Sequence, residues 1–213
     1  MKFHDFEKRI VKVTKMELPG EGAQFKMAPL KRLDELKREA KAIHSARRAG
    51  VMLLFYPSED AETRLILILR KTYKGVHSAQ VGFPGGKVEL EDNNLQDAAL
   101  RETEEEVGVS RGNISVLKEL TEIYIPPSNF FVQPFLGITT IKPRFIPQEE
   151  EVEALIEVRL QDFMDDLNIT TQTLTTSYAT NLEVPAFKLN GHIVWGATAM
   201  MLNEVRELLK MAL

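Results

Sequence analysis

The spacing of apolar positions changes several times along the chain. After Pro29, Leu30, Leu33, Leu36, Ala40 and Ile43 recur at helical intervals, with Lys31, Arg32, Asp34, Glu35, Lys37 and Arg38 between them. That spacing predicts an amphipathic helix with one wet side, and Pro29 suits a first helical position. From Val51 the texture becomes that of strands. VMLLFY (51–56) and RLILILR (64–70) are short apolar runs split by polar PSEDAET. Further runs of strand character lie at 114–118, 122–125, 131–137 and 152–158. Helical segments are predicted at 94–107, 160–166 and 197–213, and an irregular stretch near 18–24 around Pro19, Gly20 and Gly22. TTQTLTTSYATN (170–181) reads as a loop or a hairpin with a wet face. Strands and helices mix without strict alternation, which predicts an α+β sandwich with helices flanking a mixed sheet.

Composition narrows the function classes. The chain has 213 residues, 44% hydrophobic and 27% charged, as expected for one globular domain with or without an extension. The division expected is residues 1–49 as an N-terminal extension and 50–213 as the main domain. A net charge of −4 argues against nonspecific nucleic-acid binding, which needs a basic face. The absence of cysteine excludes disulfides, thiolate nucleophiles and Cys-based zinc sites. MKFHDFEKRIVKV carries charge throughout and has no apolar signal core. Val51 to Tyr56 is too short to cross a bilayer. A cytoplasmic protein with no membrane partner is the expectation.

Chemistry concentrates in GFPGGKVELEDNNLQDAALRETEEEVGV, 82–109. Side chains advance by about 100° per residue around a helix. With Glu102 at zero, Glu106 falls near about 40° and Glu105 near about 300°, while Glu104 falls near about 200°. Ala99, Leu100, Thr103 and Val107 fill an apolar arc. Three carboxylates on one face repel one another unless a hard divalent cation reverses the sign. An isolated acidic run is more often a solvated face. Here a Gly85-Gly86 turn precedes the run, Arg101 stands beside Glu102 as a tether for carboxylates, and Gly108 follows at a C-cap position.

The unit resembles the box of the Nudix family, G-x5-E-x7-R-E-U-x-E-E-x-G-U with U aliphatic. Arg101-Glu102-Thr103-Glu104-Glu105-Glu106-Val107-Gly108-Val109 matches its second half. Thr103 stands for an aliphatic residue. Gly86 to Arg101 is one residue longer than the pattern, and Asn93 stands where the first Glu would fall, leaving Glu91 or Asp92 to take that place. Outside the box, Ile66 to Arg70, His77 to Gly86, Pro127 to Phe130, Glu151-Val152-Glu153 and Val194 to Ala199 resemble the coenzyme A pyrophosphatase branch. Ile68, Lys71, Gly75 and Ala79 depart from that branch. Lys71 or Lys74 is the candidate to replace the arginine missing at 75.

The resemblance implies a Nudix-type α/β/α sandwich with an N-terminal helical extension. It implies hydrolysis of a nucleoside diphosphate linked to a further group, with Mg²⁺ or Mn²⁺ as cofactor. Glu102, Glu105, Glu106 and the Gly85 carbonyl would hold metal. Glu105 or Glu151 would act on water, and Arg70, Lys71 and His77 would bind substrate. The expected substrate is coenzyme A or an acyl-CoA, cut to 3′,5′-ADP and a phosphopantetheine. ADP-ribose or another sugar nucleotide is the alternative enzyme reading, and a non-catalytic nucleotide-binding regulator is the alternative of another class. The expected partner is a small-molecule nucleotide, with a homodimer as the candidate assembly. Several residues also have plain readings: His77 as a turn cap, Arg70 as a surface ion pair, Glu149 to Glu151 as a solvated run, Trp195 as a core anchor, and Met200 and Met201 as packing residues.

Overall fold

The computed structural model describes residues 1–29, 45–72, 80–174 and 181–213. The helix expected at 30–43, and Lys74, Gly75, His77 and Ala79, lie outside these. The chain opens with α1 (Phe3–Ile10), a 3₁₀ turn (Val11–Lys15) and α2 (Gly20–Gln24). Then come β1 (Arg47–Pro57), β2 (Thr63–Arg70), β3 (Val81–Gly82), β4 (Gly85–Lys87) and α3 (Leu95–Val107). β5 (Ser115–Glu119), β6 (Ile123–Ile125), β7 (Phe130–Ile138) and β8 (Val152–Arg159) complete the main sheet. α4 (Leu160–Met164), β9 (Ile169–Leu174), β10 (Leu182–Leu189), β11 (His192–Trp195) and α5 (Gly196–Ala212) close the chain.

Eight strands, β1 to β8, form one mixed sheet, and β11-β10-β9 form a second. β1 runs parallel to β7 from Arg47↔Phe130 to Phe55↔Ile138, and the other pairings in the main sheet are antiparallel. α3 covers one face, packing on Met52, Leu54, Ile66 and Ile68. α1, α5 and β10 cover the other, with Leu53, Phe55, Leu65 and Leu67. Both faces are therefore buried, and this is why β1 and β2 read as continuous rather than alternating apolar runs. The expected α+β sandwich of helices on a mixed sheet is the fold observed.

The register contains a fork. β1 pairs with β2 only at Phe55↔Leu65, Tyr56↔Arg64 and Pro57↔Thr63. Toward the other end the two strands separate. β4 then pairs with β1 (Ala49↔Lys87 to Val51↔Gly85), and β3 pairs with β2 (Ile68↔Gly82, Leu69↔Val81). The segment 81–87 fills the fork, held by the Met52 N–H donating to the Pro84 carbonyl at 2.9 Å.

The N-terminal residues are more regular and more central than the irregular stretch expected. Phe3, Phe6, Ile10 and Val13 share one face and are all buried. An aromatic line runs from Phe6 to Phe55 (5.0 Å between centroids), then to Phe163 and Phe187. Gln24 donates to Glu204 and to the Thr121 carbonyl, both at 2.9 Å, and Asn203 donates to the Ala23 carbonyl at 2.7 Å. The boundary expected at 49/50 falls inside β1, so residues 3–28 share the core of the main domain rather than extend from it. The second sheet was barely legible: of the stretch 170–181 expected to be a loop or a hairpin, residues 170–174 lie in β9, which pairs antiparallel with β10, and neither β10 nor β11 was foreseen. Met200 and Met201 are buried as expected, while Trp195 is only half-buried and does not anchor the core.

Phe6→Ala should lower the free energy of unfolding by about 3–5 kcal/mol, the range for truncating a buried aromatic. Denaturant titration checks this, and a loss below about 1 kcal/mol would show that α1 contributes little to the core.

Candidate active site

Helix α3 carries most of the site. Asn94 caps its start by accepting from the Asp97 N–H at 2.9 Å, and Gly108 ends it in the left-handed region with φ 75°. Ala98, Ala99, Thr103 and Val107 are buried against the sheet. The Thr103 hydroxyl donates to the Ala99 carbonyl at 2.6 Å, which satisfies it where the family pattern has an aliphatic residue. Glu104 points away from the other glutamates and pairs with Arg111 at 2.8 Å on the surface. The separation predicted by helical geometry is observed.

Glu106 is the best-buried carboxylate of the group, 1% exposed. Its Oε2 accepts the Gly85 N–H at 2.8 Å. Its Oε1 is buried without a hydrogen bond, with Arg70 Nη1 3.6 Å away. Burial pushes Glu106 up to about 7 against the opposing pulls of Arg70 and the Gly85 N–H. Glu102 is also raised, by burial first, with Arg101 opposing. Glu105 is half-exposed and accepts from Arg101 at 3.2 Å.

The glycine turn makes this contact possible. A Cβ on Gly85 would lie 2.4 Å from the Gly50 carbonyl oxygen, and the residue has φ 147°. A Cβ on Gly86 would lie 2.3 Å from Glu102 Oε1. Only a turn without side chains lets the helix carboxylates lie against the backbone of the fork.

Two arginines organise the acids. Arg101 donates Nε and Nη2 to the two Asp92 oxygens at 3.0 and 2.9 Å, Nη1 to Glu102 at 3.0 Å, and Nη2 to the Lys87 carbonyl at 3.1 Å. Asp92 thus takes the place opposite Arg101, and Glu91, the other candidate, is exposed. The Arg101 hydrogen bonds hold the Asp92 carboxyl below the usual carboxylate range. Arg70 donates Nη2 to the Gly85 carbonyl at 3.0 Å. The β2–β8 register shifts between Leu69 and Arg70, and such a bulge re-aims the side chain at its step.

Glu151 lies just before β8 and is exposed. Its charge contributes to the upward push on both Glu102 and Glu106, so it stands within electrostatic reach of the box. Its carbonyl accepts from the Lys71 N–H at 2.9 Å. The preceding loop is tied to α3, with Ile146 N–H donating to the Val107 carbonyl and Gln148 N–H to the Glu106 carbonyl, each at 3.0 Å. Sequence patterning did not point to these backbone ties, since they involve no side chain. His77 is outside the described residues.

The donor set suits a hard divalent cation. It offers carboxylate and carbonyl oxygens, one buried carboxylate oxygen lacking a hydrogen bond, and a turn stripped of Cβ atoms. Among the described residues, however, no three acids already stand together as a coordination set. Among the described residues, no helix is long and apolar enough to cross a membrane.

Residues 46–175 match the NUDIX domain family. The chain is 35% identical over 124 residues to Nudix hydrolase 15, mitochondrial, of Arabidopsis thaliana, covering 57% of this chain and 43% of that protein. It is 29% identical over 184 residues to the uncharacterized Nudix hydrolase NudL of Pectobacterium atrosepticum, covering 80% and 87%. The chain thus spans less than half of the Arabidopsis relative and most of the bacterial one. Among solved structures, a Nudix hydrolase of M. smegmatis, RenU, superposes with a TM-score of 0.54 at 15% identity, over 78% of this chain and 87% of that one. A MutT/nudix family protein of Enterococcus faecalis gives 0.50 at 17% identity, over 78% and 62%. These two likenesses speak to the fold alone.

Asp92→Asn should cost roughly 1–3 kcal/mol of stability at neutral pH, the value of charge-assisted bonds lost to Arg101. Because Asp92 is depressed in the folded state, its contribution is full above the unfolded value and is lost as pH falls. The gap between wild type and variant should therefore close below about pH 4. Urea titrations at pH 7 and pH 3 read this directly, and a gap that persists unchanged at pH 3 would break the assignment.

Proposed function

We propose, for a chain that belongs to the Nudix family, that it is a pyrophosphohydrolase acting on a nucleoside diphosphate linked to a further group, with coenzyme A or an acyl-CoA as substrate. The observation that carries this reading is the Glu106 carboxylate. It is buried, fixed by the Gly85 N–H through one oxygen and free of hydrogen bonds at the other, beside Glu102 on the same helix. A binding module that only recognised a nucleotide would not need to keep so unfavourable a charge.

Glu102, Glu105, Glu106 and the Gly85 carbonyl would hold Mg²⁺ or Mn²⁺. Such an ion supplies charge neutralisation of the diphosphate and acidifies water. The remaining work falls to the protein. Water adds to one phosphorus as the bond from that phosphorus to the bridging oxygen breaks, and the water proton passes to a carboxylate. Glu105, exposed at the edge of the cluster, and Glu151, whose charge is felt at Glu102 and Glu106 from just before β8, are the candidates to accept that proton. Arg70 would steady a phosphate oxygen. Lys71, just past the end of β2, would add positive charge toward the 3′-phosphate that distinguishes coenzyme A from ADP-ribose, and His77 would contribute to substrate binding. The approach to the glycine turn and the Val194 to Ala199 segment, which resemble the coenzyme A branch, favour that substrate.

Glu106→Gln should cut kcat by about a hundredfold or more, while Glu104→Gln stays within about twofold. Equal losses at both positions would refute the assignment of the catalytic face. Glu151→Gln should lower kcat more than it raises KM, and full activity in that variant would leave the water to Glu105. Substrate choice is tested by kcat/KM for coenzyme A, dephospho-coenzyme A and ADP-ribose with each metal. Coenzyme A should lead by roughly ten- to a hundredfold, and faster turnover of ADP-ribose under both metals would move the enzyme to the sugar-nucleotide class.

A further inference from the structure

Arg70 occupies an unexpected place for a residue that only binds substrate. Its guanidinium spans the two oxygen groups most suited to a cation. Nη2 donates to the Gly85 carbonyl at 3.0 Å, and Nη1 stands 3.6 Å from Glu106 Oε1. The second distance is too long for a hydrogen bond, and among the described residues Oε1 has no other donor. The guanidinium therefore compensates the buried charge of Glu106 without satisfying it. Its backbone is fixed, since the Arg70 N–H donates to the Gln80 carbonyl at 3.0 Å and the residue follows a bulge in the β2–β8 register. Its side chain is about a quarter exposed, so the long chain can turn outward from this anchored base.

We propose that Arg70 is a resident counter-cation that a divalent metal displaces, and that displacement delivers the guanidinium to the substrate phosphates. This rests on the hydrolase reading above and deepens it. A metal ligated by Glu106 and the Gly85 carbonyl would sit against the guanidinium, and two like charges on one pair of oxygens repel. The guanidinium would then turn toward solvent, the side on which Arg70 is already partly exposed, and would meet the oxygens of a bound diphosphate there. A planar five-donor group suits that second position as well as the first. Metal and nucleotide binding become coupled through one side chain: the metal pays the cost of moving Arg70, and the nucleotide finds it released. Substituting Arg70 therefore acts in opposite directions on the two ligands, which a simple phosphate-binding arginine does not do.

The test uses the full chain without substrate turnover. Binding of Mn²⁺ alone is measured by the electron paramagnetic resonance of the free ion, at pH 8.5 so that the carboxylates are ionised. Arg70→Ala and Arg70→Gln should each bind the first Mn²⁺ about tenfold tighter than wild type, the scale of one charge-assisted contact. Arg70→Lys, which keeps the charge but not the two-pronged reach, should fall between. With Mn²⁺ saturating, the neutral variants should bind ADP about tenfold more weakly than wild type. Circular dichroism establishes that each variant is folded, and the glutamine variant keeps a donor for the Gly85 carbonyl if alanine destabilises the turn. Unchanged or weaker Mn²⁺ binding in both neutral variants would overturn the proposal while leaving the hydrolase reading standing. Mn²⁺ binding by Glu106→Gln as tight as by wild type would overturn both.

Discussion

The hydrogen bond from the Gly85 N–H to Glu106 Oε2 at 2.8 Å ties helix α3 to the sheet at the glycine turn. An ionised carboxylate is costly to bury unless hydrogen bonds and charge compensate it. Glu106 can be buried because the β1–β2 fork turns the Gly85 amide toward α3. The fork in turn exists because β1 and β2 share only three register pairs before separating. Gly85 must lack a Cβ to lie on Gly50 and Val51, and Gly86 must lack one to admit Glu102. Strand register, turn composition and helix position therefore form one constraint: changing any of them removes the place where Glu106 sits.

Charge around this bond is deliberately unbalanced. Asp92, Glu102, Glu105, Glu106 and Glu151 face Arg70 and Arg101. Arg101 is committed structurally, since its bonds to both Asp92 oxygens and to the Lys87 carbonyl hold the long box loop against the helix. Among the described residues, the Arg70 guanidinium makes one hydrogen bond, to the Gly85 carbonyl. The two arginines thus differ in how tightly they are held, and the less committed one stands nearest the orphaned oxygen. Burial first, and neighbouring negative charge only after it, keeps Glu102 and Glu106 above the ordinary carboxylate range, an environment that a polyvalent cation relieves more effectively than a proton.

Sequence spacing revealed the helix, its carboxylate face and the outward direction of Glu104, because helical geometry is set by covalent structure and needs no tertiary partner. It also revealed β1 and β2, whose unbroken apolar runs reflect burial on two faces. It did not settle whether Glu91 or Asp92 faces Arg101. That choice depends on how a loop one residue longer folds back on the helix, and Asp92 prevails because its carboxylate meets two guanidinium nitrogens while also accepting from the Glu89 N–H. The role of residues 3–28 was equally hidden. Phe3, Phe6, Ile10 and Val13 cross from an α-helix into a 3₁₀ turn, where the repeat changes, and what they bury against lies on β1, α4 and β10. Short strands such as β3, β4 and β11 owe their existence to the neighbours they pair with, so local pattern could not announce them.

The placement of Glu151 shows how far the site depends on backbone rather than on motif. Nothing in an acidic run after a proline distinguishes a ligand or a base from solvated charge. What distinguishes Glu151 is that the chain before it is bonded to the end of α3 through Ile146 and Gln148, while Glu151 itself is bonded to the end of β2 through Lys71. The loop therefore bridges the two elements that carry Glu106 and Arg70. Val152 then begins β8 beside Arg70, at the bulge. Main-chain hydrogen bonds therefore fix the backbone from which the exposed Glu151 side chain projects. Among the described residues, Glu150 and Glu149, one and two residues earlier in the same acidic run, lack that main-chain tie to β2, which is the physical reason to separate Glu151 from its neighbours.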